Sequence, residues 1–250
     1  MTTVVLVHSF PLDASMWAPQ IAALEAFGVR VLAPNLPGFG DAPLPRDTDP
    51  SLDVYVDALL ARLDAEGIAR AVFVGLSLGG YVVLRLAARA LSRVEGLVLC
   101  DTRAGGDAPT VRAARVVNLA LVRSRGSLGL IEKLLPGLVA PETGEAVRQT
   151  LVTMAARQSP EAVSFALLAM RDRPDATPTL GALRVPALVM VGAHDAITPP
   201  DEHQRLAEAL PDAAWVVLDG AGHMSNLEQP EAFNDALVRY LEALTGRPSN

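Results

Sequence analysis

One stretch of the chain constrains its fold more than any other. An apolar run at residues 71–74 leads into Gly75-Leu76-Ser77-Leu78-Gly79, and an Ala- and Leu-rich helical pattern follows over residues 78–90. This order predicts a buried strand, a sharp turn and a helix, with the Ser77 hydroxyl at the turn. A serine in so tight a turn has a strained backbone, and we expect glycine wherever the strand and the helix pass too close for side chains.

The same short motif also fits an ordinary Gly-rich turn with a solvated serine, so the rest of the chain has to decide between the two. Short apolar runs predict six strands, at residues 3–7, 29–34, 71–74, 94–100, 186–192 and 214–218. Helical patterns alternate with them, at residues 16–26, 52–66, 78–90, 201–210 and 230–244, with a long Pro- and Gly-rich loop at 35–50. This alternation predicts an α/β fold with a mostly parallel sheet that is covered on both faces.

Residues 104–179 interrupt the alternation, because they contain no convincing strand. Four helical patterns fill the region, at residues 110–123, 128–135, 142–157 and 160–171, with a break at Gly126. We therefore predict a core formed by residues 1–103 and 180–250, and a helical cap formed by residues 104–179. Such an insertion lies over the carboxyl edge of the sheet, where ligands bind in folds of this kind. Its surplus apolar side chains are substrate-pocket candidates: Leu121, Leu128 and Leu134.

Composition excludes several classes of function. Half of the 250 residues are apolar, which fits one large domain or one domain with an insertion. The net charge of −7 argues against a nucleic acid or an anionic membrane as partner. The single Cys100 cannot form an internal disulfide and is expected to be a buried thiol. The N-terminal residues lack the pattern of a signal peptide and no apolar run is long enough to span a bilayer, so we expect a cytoplasmic protein.

If Ser77 is a nucleophile, a general base has to reach it from another strand end. His223 lies in a Gly-rich loop after the last predicted strand and is the candidate. His8 follows the first strand, but its loop is better suited to another role. His194 and His203 carry no strong signature, and His203 falls within a helical pattern, where a solvated or packed histidine is the usual explanation.

The orienting carboxylate has two candidates. Asp195 follows the strand that ends at residue 192, and Asp101 ends the strand after the turn. Either gives the chain order Ser, acid, His, and we favour Asp195 because it lies in the better-formed loop. The oxyanion of the reaction needs two backbone amides, for which Leu78 and Phe10 are the candidates. Phe10 and Ser9, in the loop after the first strand, would also line the substrate pocket.

With these motifs in place, the chain resembles the α/β-hydrolase superfamily, and within it capped bacterial carboxylesterases and enzymes like 3-oxoadipate enol-lactonase. The resemblance rests on motifs spread over nearly the whole chain: His8-Ser9-Phe10-Pro11, Pro37-Gly38-Phe39-Gly40, Gly75-Leu76-Ser77-Leu78-Gly79-Gly80, Gly192-Ala193-His194-Asp195, Gly220-Ala221-Gly222-His223 and Asn226-Leu227-Glu228-Gln229-Pro230. It implies triad roles for Ser77, Asp195 and His223, and neither a metal nor an organic cofactor.

The chain departs from the family pattern at a few positions. Ser9 stands where the family usually has glycine, Asn35 where it has aspartate, and Asp41-Ala42 where a serine is common. The superfamily's full sheet has eight strands and the first two are missing here. We therefore expect the strand that begins at Val29 to lie near an edge of the sheet. An exposed edge strand is either shielded within a monomer or paired across a homodimer interface.

These observations predict a serine hydrolase that cleaves carboxylic esters with small to medium apolar groups. Hydrolysis of an enol-lactone or of a carbon–carbon bond on the same triad is the alternative, and a non-catalytic ligand receptor is a further one. Three arginines are candidates to bind a substrate carboxylate, although solvated surface positions explain them better: Arg103, Arg123 and Arg125.

Overall fold

The six predicted strands form a single sheet in the computed structural model, which describes residues 1–246. The strands are β1 (Thr3–Val7), β2 (Arg30–Leu32), β3 (Ala71–Leu76), β4 (Val94–Cys100), β5 (Ala187–Gly192) and β6 (Ala213–Leu218). They lie in the order β2-β1-β3-β4-β5-β6, and every neighbouring pair is parallel. The predicted α/β fold with six strands is confirmed.

Helices cover both faces of the sheet. They are α1 (Ala18–Phe27), α2 (Leu52–Ala65), α3 (Leu78–Ala90), α4 (Pro109–Leu138), α5 (Glu145–Ala156), α6 (Pro160–Arg171), α7 (Pro200–Ala209), α8 (Ser225–Glu228) and α9 (Pro230–Thr245). Phe73 packs in the core layer that contains α2, α3 and α7, whereas its neighbour Val72 packs in the layer that contains α1 and α9. Successive side chains of a strand point to opposite faces, so a strand covered on both faces is apolar throughout.

Two elements near the N-terminus are shorter than their sequence patterns. The predicted strand 29–34 is reduced to β2, which lies at the edge of the sheet as expected and pairs only with β1. Pro34 lacks an N–H group and cannot extend the ladder. The predicted helix 16–26 begins as a 3₁₀ turn, Ala14–Trp17, because the Asp13 carboxylate accepts a hydrogen bond from the amide of Ser15.

The helices α4, α5 and α6 occupy the sequence between β4 and β5, where four helical patterns were predicted. Gly126 interrupts α4 with a non-helical backbone (φ 66°, ψ −170°), at the predicted break between two helices. The second part continues through Pro136, beyond its predicted end. These helices contribute to both core layers, for example with Leu130 to one and Ile131 to the other. The division into core and cap at residues 104 and 179 stays a prediction.

Candidate active site

Ser77 lies between the end of β3 and the start of α3, in the predicted strained turn. Its backbone has a positive φ of 55° with ψ −111°, in a region that residues with a side chain rarely adopt. The strand beside it holds this conformation, because the Ser77 amide donates to the Cys100 carbonyl (3.0 Å) and the Thr102 hydroxyl donates to the Ser77 carbonyl (2.9 Å). The strained backbone of Ser77 is therefore held by hydrogen bonds to the end of β4 and to Thr102, which follows β4.

The glycines around Ser77 are required for two different reasons. A Cβ atom on Gly75 would lie 2.4 Å from the Gly79 carbonyl oxygen, which is the predicted close approach of strand and helix. A Cβ atom on Gly79 would instead lie 2.0 Å from the Val7 carbonyl oxygen, at the end of β1. The N-terminus of α3 thus packs directly against the loop that follows β1.

The His223 imidazole connects the other two predicted triad residues. The ring is buried, with Nε2 2.9 Å from Ser77 Oγ and Nδ1 2.8 Å from Asp195 Oδ2. Three side chains that are far apart in the sequence thus form one continuous line of hydrogen bonds at the carboxyl ends of β3, β5 and β6.

Four donors surround the Asp195 carboxylate. Oδ1 accepts from the amides of Ile197 (2.8 Å) and Thr198 (2.9 Å), and Oδ2 accepts from the Thr198 hydroxyl (2.6 Å) as well as facing His223. Burial opposes the charged form, but the charge and hydrogen bond of His223 and the hydrogen bonds of Thr198 outweigh it and lower the pKa of Asp195 to about 2. An ionised carboxylate only accepts hydrogen bonds, so Nδ1 of His223 carries the proton and Nε2 is free to accept from Ser77.

Asp101, the rival acid, makes no hydrogen bond with His223 in the described part of the chain. Its carboxylate accepts from the Gly192 amide (2.9 Å) and from the Ser225 hydroxyl. Burial, with the nearby charge of Asp195, raises the pKa of the Asp101 carboxyl well above its usual value. The structure therefore brings Asp195 and not Asp101 to His223, and Asp101 instead connects β4 to the loops that carry the acid and the histidine.

The other histidines have different surroundings. His8 is fully buried, accepts a hydrogen bond from the Leu36 amide at Nε2 (3.0 Å) and packs edge-on against Phe39. Burial lowers its pKa to about 4, so the ring is neutral. His203 is a buried residue of α7, and His194 is exposed. His8 thus fixes the loop after β2 through the Leu36 amide, a role that was not predicted from the sequence.

The two candidate oxyanion donors come from adjacent strand ends. Leu78 is the first residue of α3, so its N–H has no partner inside the helix. Phe10 follows β1, which pairs with β3 so that Val7 lies beside Gly75. These positions are compatible with two amides that converge near Ser77, and the oxyanion role of Leu78 and Phe10 stays a prediction.

The predicted pocket residues differ in their exposure. Leu128 is 44 % exposed, whereas Leu121 and Leu134 are partly buried against the core. Ser9 is fully buried and Phe10 nearly so, with the Ser9 hydroxyl 3.3 Å from the Phe10 carbonyl. Leu128 is the least suited of the five to line an apolar site, because so much of its side chain faces solvent.

Asn35, which stands where the family usually has aspartate, links two loops. Its Oδ1 accepts from the Ala14 amide (2.8 Å) and its Nδ2 donates to the Asp41 carboxylate (2.7 Å). An aspartate could not donate to Asp41 in this way. The Asn35 amide therefore ties the 3₁₀ turn at Ala14 to Asp41, because it accepts from one and donates to the other.

Sequence reasoning missed several residues that hold the site together. Thr198 fixes the Asp195 carboxylate and Thr102 fixes the backbone of Ser77. The signal for Thr198 was its position three residues after Asp195, since an aspartate often accepts from the amides that follow it in a turn. Thr102 carried no such signal, because its contact crosses from β4 to β3. The short helix α8 was also not predicted.

Residues 1–246 contain neither a metal-binding cluster of side chains nor a membrane-spanning helix. No group of three or more His, Cys, Asp or Glu side chains there is arranged to hold a metal ion. No helix among these residues combines the length and the apolar character needed to cross a membrane.

Comparison with known proteins places this geometry among hydrolases. Residues 4–236 match the model of the family described as "Alpha/beta hydrolase family". A thermophilic esterase from Thermogutta terrifontis is 35% identical and superimposes with a TM-score of 0.94, over 98% of this chain and 90% of that one. The enol-lactonase from Burkholderia xenovorans LB400 is 33% identical with a TM-score of 0.88, over 96% and 91%. A pimeloyl-[acyl-carrier protein] methyl ester esterase from Neisseria meningitidis is 32% identical, over 98% of this chain and 78% of its own length.

Proposed function

The chain belongs to the alpha/beta hydrolase family, and from that premise we propose that it is a serine esterase that cleaves carboxylic esters through a covalent acyl-enzyme. The observation that carries the proposal is the line of hydrogen bonds from Ser77 through His223 to Asp195, with distances of 2.9 and 2.8 Å. A hydroxyl, a base and an orienting carboxylate at these distances are the arrangement that activates a serine nucleophile.

In the first half of the reaction, Ser77 Oγ attacks the ester carbonyl while His223 Nε2 takes the hydroxyl proton. The imidazolium that forms is stabilised by the Asp195 carboxylate, which already accepts a hydrogen bond from the Nδ1–H group of His223. The amides of Leu78 and Phe10 bind the oxyanion of the tetrahedral intermediate. When the intermediate collapses, the proton passes from Nε2 to the departing alcohol, and the acyl group stays on Ser77.

In the second half, His223 Nε2 takes a proton from water, and the hydroxide attacks the acyl-enzyme. Collapse of the second intermediate returns that proton to Ser77 Oγ and releases the carboxylic acid. The strained turn supports this cycle because it holds Ser77 clear of the sheet, between the amide at the start of α3 and the His223 ring.

The surroundings of Arg103 support an uncharged ester over an acidic substrate. The Arg103 guanidinium lies 3.1 Å from the Glu202 carboxylate through Nε and donates to the Ile197 carbonyl. Arg125 likewise pairs with Glu132 (2.8 Å). Two of the three arginines considered as receptors for a substrate carboxylate are thus already engaged.

The test is turnover of p-nitrophenyl esters of rising acyl length, together with labelling by a fluorophosphonate probe. The wild type is expected to hydrolyse the shorter esters and to take the label. Ser77→Ala is expected to lose labelling and about six powers of ten in turnover. Ser124→Ala is the matched control, because Ser124 is an exposed serine whose hydroxyl donates to the Leu121 carbonyl. A wild type that turns over no ester and takes no label contradicts the proposal, and ligand-dependent melting without labelling points to a receptor.

Enol-lactone hydrolysis is the second candidate, and the 33% identity to the Burkholderia enzyme favours it. The same triad opens a lactone, in which the leaving alcohol stays attached to the acyl group. Parallel assays with an enol-lactone and with a vinylogous diketone separate lactonase and carbon–carbon hydrolase activity from esterase activity. A kcat/KM for the lactone well above that for every ester assigns the protein to the lactonases.

A further inference from the structure

Glu228, the last residue of α8, accepts four hydrogen bonds through one carboxylate. Its Oε1 accepts from the amides of Gly222 (3.0 Å) and Met224 (3.1 Å), the two residues that flank His223. Its Oε2 accepts from the Ala140 amide (2.7 Å) and from the Thr143 hydroxyl. One carboxylate oxygen therefore faces the loop of His223, and the other faces the segment after α4.

The two sides that Glu228 joins are in direct contact. A Cβ atom on Gly222 would lie 2.5 Å from the Ala140 amide nitrogen, and the Met224 amide also faces the Leu138 carbonyl (3.1 Å). No layer of side chains separates the histidine loop from residues 138–143. A displacement of this segment is therefore transmitted to the backbone on both sides of His223.

The segment is in turn held to the rest of the cap region by α5. Arg148 donates to the carbonyls of Ala140 (3.0 Å) and Thr143 (3.0 Å), so the segment moves together with α5 rather than as a free loop. The chain of contacts runs from α5 through residues 140–143 and Glu228 to the histidine loop.

We propose that Glu228 is a positioning residue that sets His223 in line with Ser77 and couples its position to the helices α4 and α5. The inference rests on the proposed role of His223 as general base. A carboxylate is suited to the position because all four partners are donors and an ionised carboxylate only accepts. A glutamine there directs an NH₂ group against at least one donor, so the side chain or the loop has to move.

The first test compares Glu228→Gln with wild type, using fluorophosphonate labelling and the hydrolysis of p-nitrophenyl acetate. We expect the labelling rate and kcat to fall about 10- to 100-fold with KM changed less than about threefold, because a misplaced base raises the barrier without removing substrate contacts. Glu231→Gln is the matched control, since Glu231 is an exposed glutamate in the first turn of α9, and it is expected to keep wild-type rates. Glu228→Gln that folds and labels at the wild-type rate overturns the proposal.

The second test changes only the contact of Glu228 with Thr143 and leaves its contacts with the histidine loop in place. Thr143→Val removes the hydroxyl that donates to Glu228, and we expect labelling by the small probe to slow about three- to tenfold, less than for Glu228→Gln, because three of the four donors to the carboxylate remain. Thr143→Ser keeps the hydroxyl and is expected to restore the rate. Ser127→Ala is the control within the cap region, because it removes a hydroxyl that donates to the Gln158 carbonyl (2.8 Å) and not to Glu228.

These outcomes distinguish the two proposals. A wild type without labelling contradicts the proposed function, whereas a labelled wild type with an unaffected Thr143→Val contradicts the coupling alone. If Glu228→Gln does not fold, the Thr143 pair decides.

Discussion

Lowering the pH is expected to destabilise the protein through the buried imidazole of His203. Nε2 of this ring accepts a hydrogen bond from the Thr102 amide (2.8 Å), and Nδ1 lies 3.2 Å from the Pro199 carbonyl. An amide donor on one side and a carbonyl acceptor on the other require a neutral ring with the proton on Nδ1. The ring thus connects the acid loop to Thr102, whose hydroxyl holds the Ser77 carbonyl.

Burial lowers the pKa of His203 from 6.5 to about 4, although the Pro199 carbonyl and the charge of Asp195 partly oppose the shift. Between these two values the unfolded chain binds a proton that the folded protein does not bind. The pKa shift of His203 therefore leaves the free energy of unfolding unchanged well above pH 6.5 and lowers it progressively as the pH falls toward 4. From pH 7 to pH 5 this loss amounts to about 2 kcal/mol of unfolding free energy.

Urea unfolding of wild type and His203→Gln at pH 7 and pH 5 measures this quantity. A glutamine offers an oxygen to the Thr102 amide and an N–H to the Pro199 carbonyl, but it does not titrate. Asp101 has the opposite sign, because its raised pKa adds stability as the pH falls, and it cancels when the two proteins are compared. We expect wild type to lose about 2 kcal/mol more than the variant. His194→Gln serves as the matched control for removing an exposed imidazole.

Equal losses in wild type and in His203→Gln would show that the ring is not held neutral by burial, and would refute the reasoning. If Gln does not replace the two hydrogen bonds, the variant is less stable than wild type already at pH 7, and its loss between pH 7 and pH 5 is unaffected.

Three further predictions follow from the geometry. Asp195→Asn is expected to lower the kcat of ester hydrolysis about 10⁴-fold. Asp101→Asn is expected to lower the melting temperature and to change kcat less than about tenfold, because Asp101 makes no hydrogen bond with His223 among the described residues. A larger loss of kcat from Asp101→Asn contradicts this assignment. Gly79→Ala is expected to lower the free energy of unfolding in urea by about 3 kcal/mol or more, because the added Cβ would overlap the end of β1. Gly105→Ala is the neutral control, since a Cβ atom at that position meets no atom of the described residues within 4 Å. Cys100 is fully buried, and burial raises the pKa of its thiol; a disulfide reagent is therefore expected to react with it only after unfolding, and reaction in the folded protein would contradict that burial.

The four inner strands β1, β3, β4 and β5 were predictable from the sequence because they are buried on both faces. A strand covered on both sides is continuously apolar, whereas the edge strands β2 and β6 are apolar in sequence but partly exposed. The signal weakens at the edges, where β2 has a partner on one side only and extends over three residues instead of six. The 3₁₀ turn before α1 was missed because it depends on one side-chain hydrogen bond, from the Ser15 amide to Asp13.

The candidate site was predictable where a residue type and a strand end coincide. Ser77, Asp195 and His223 each follow a strand, and parallel strands bring their carboxyl ends to one edge. The choice between Asp195 and Asp101 was harder, because both satisfy that rule. It depends on which carboxylate the His223 ring reaches, and that is a contact between loops rather than a property of either sequence.

The substrate was not predictable from the sequence. The helices α4–α6 are held to the loops around the site by contacts between distant residues, and such contacts leave no local sequence pattern. Arg157 forms two hydrogen bonds with the Asp13 carboxylate, 144 positions earlier in the chain, and Gln158 donates to the same carboxylate while accepting from the Gly40 amide. With Glu228, these are side-chain anchors between the helices α4–α6 and the loops around the site. Two chains with the same triad motifs can differ at these anchors, tilt the helices differently and thereby accept different esters. We therefore expect that changing Asp13 and Arg157 together alters the ratio of kcat/KM for short and long p-nitrophenyl esters, while Ser77 still takes the fluorophosphonate label; an unchanged ratio contradicts this argument.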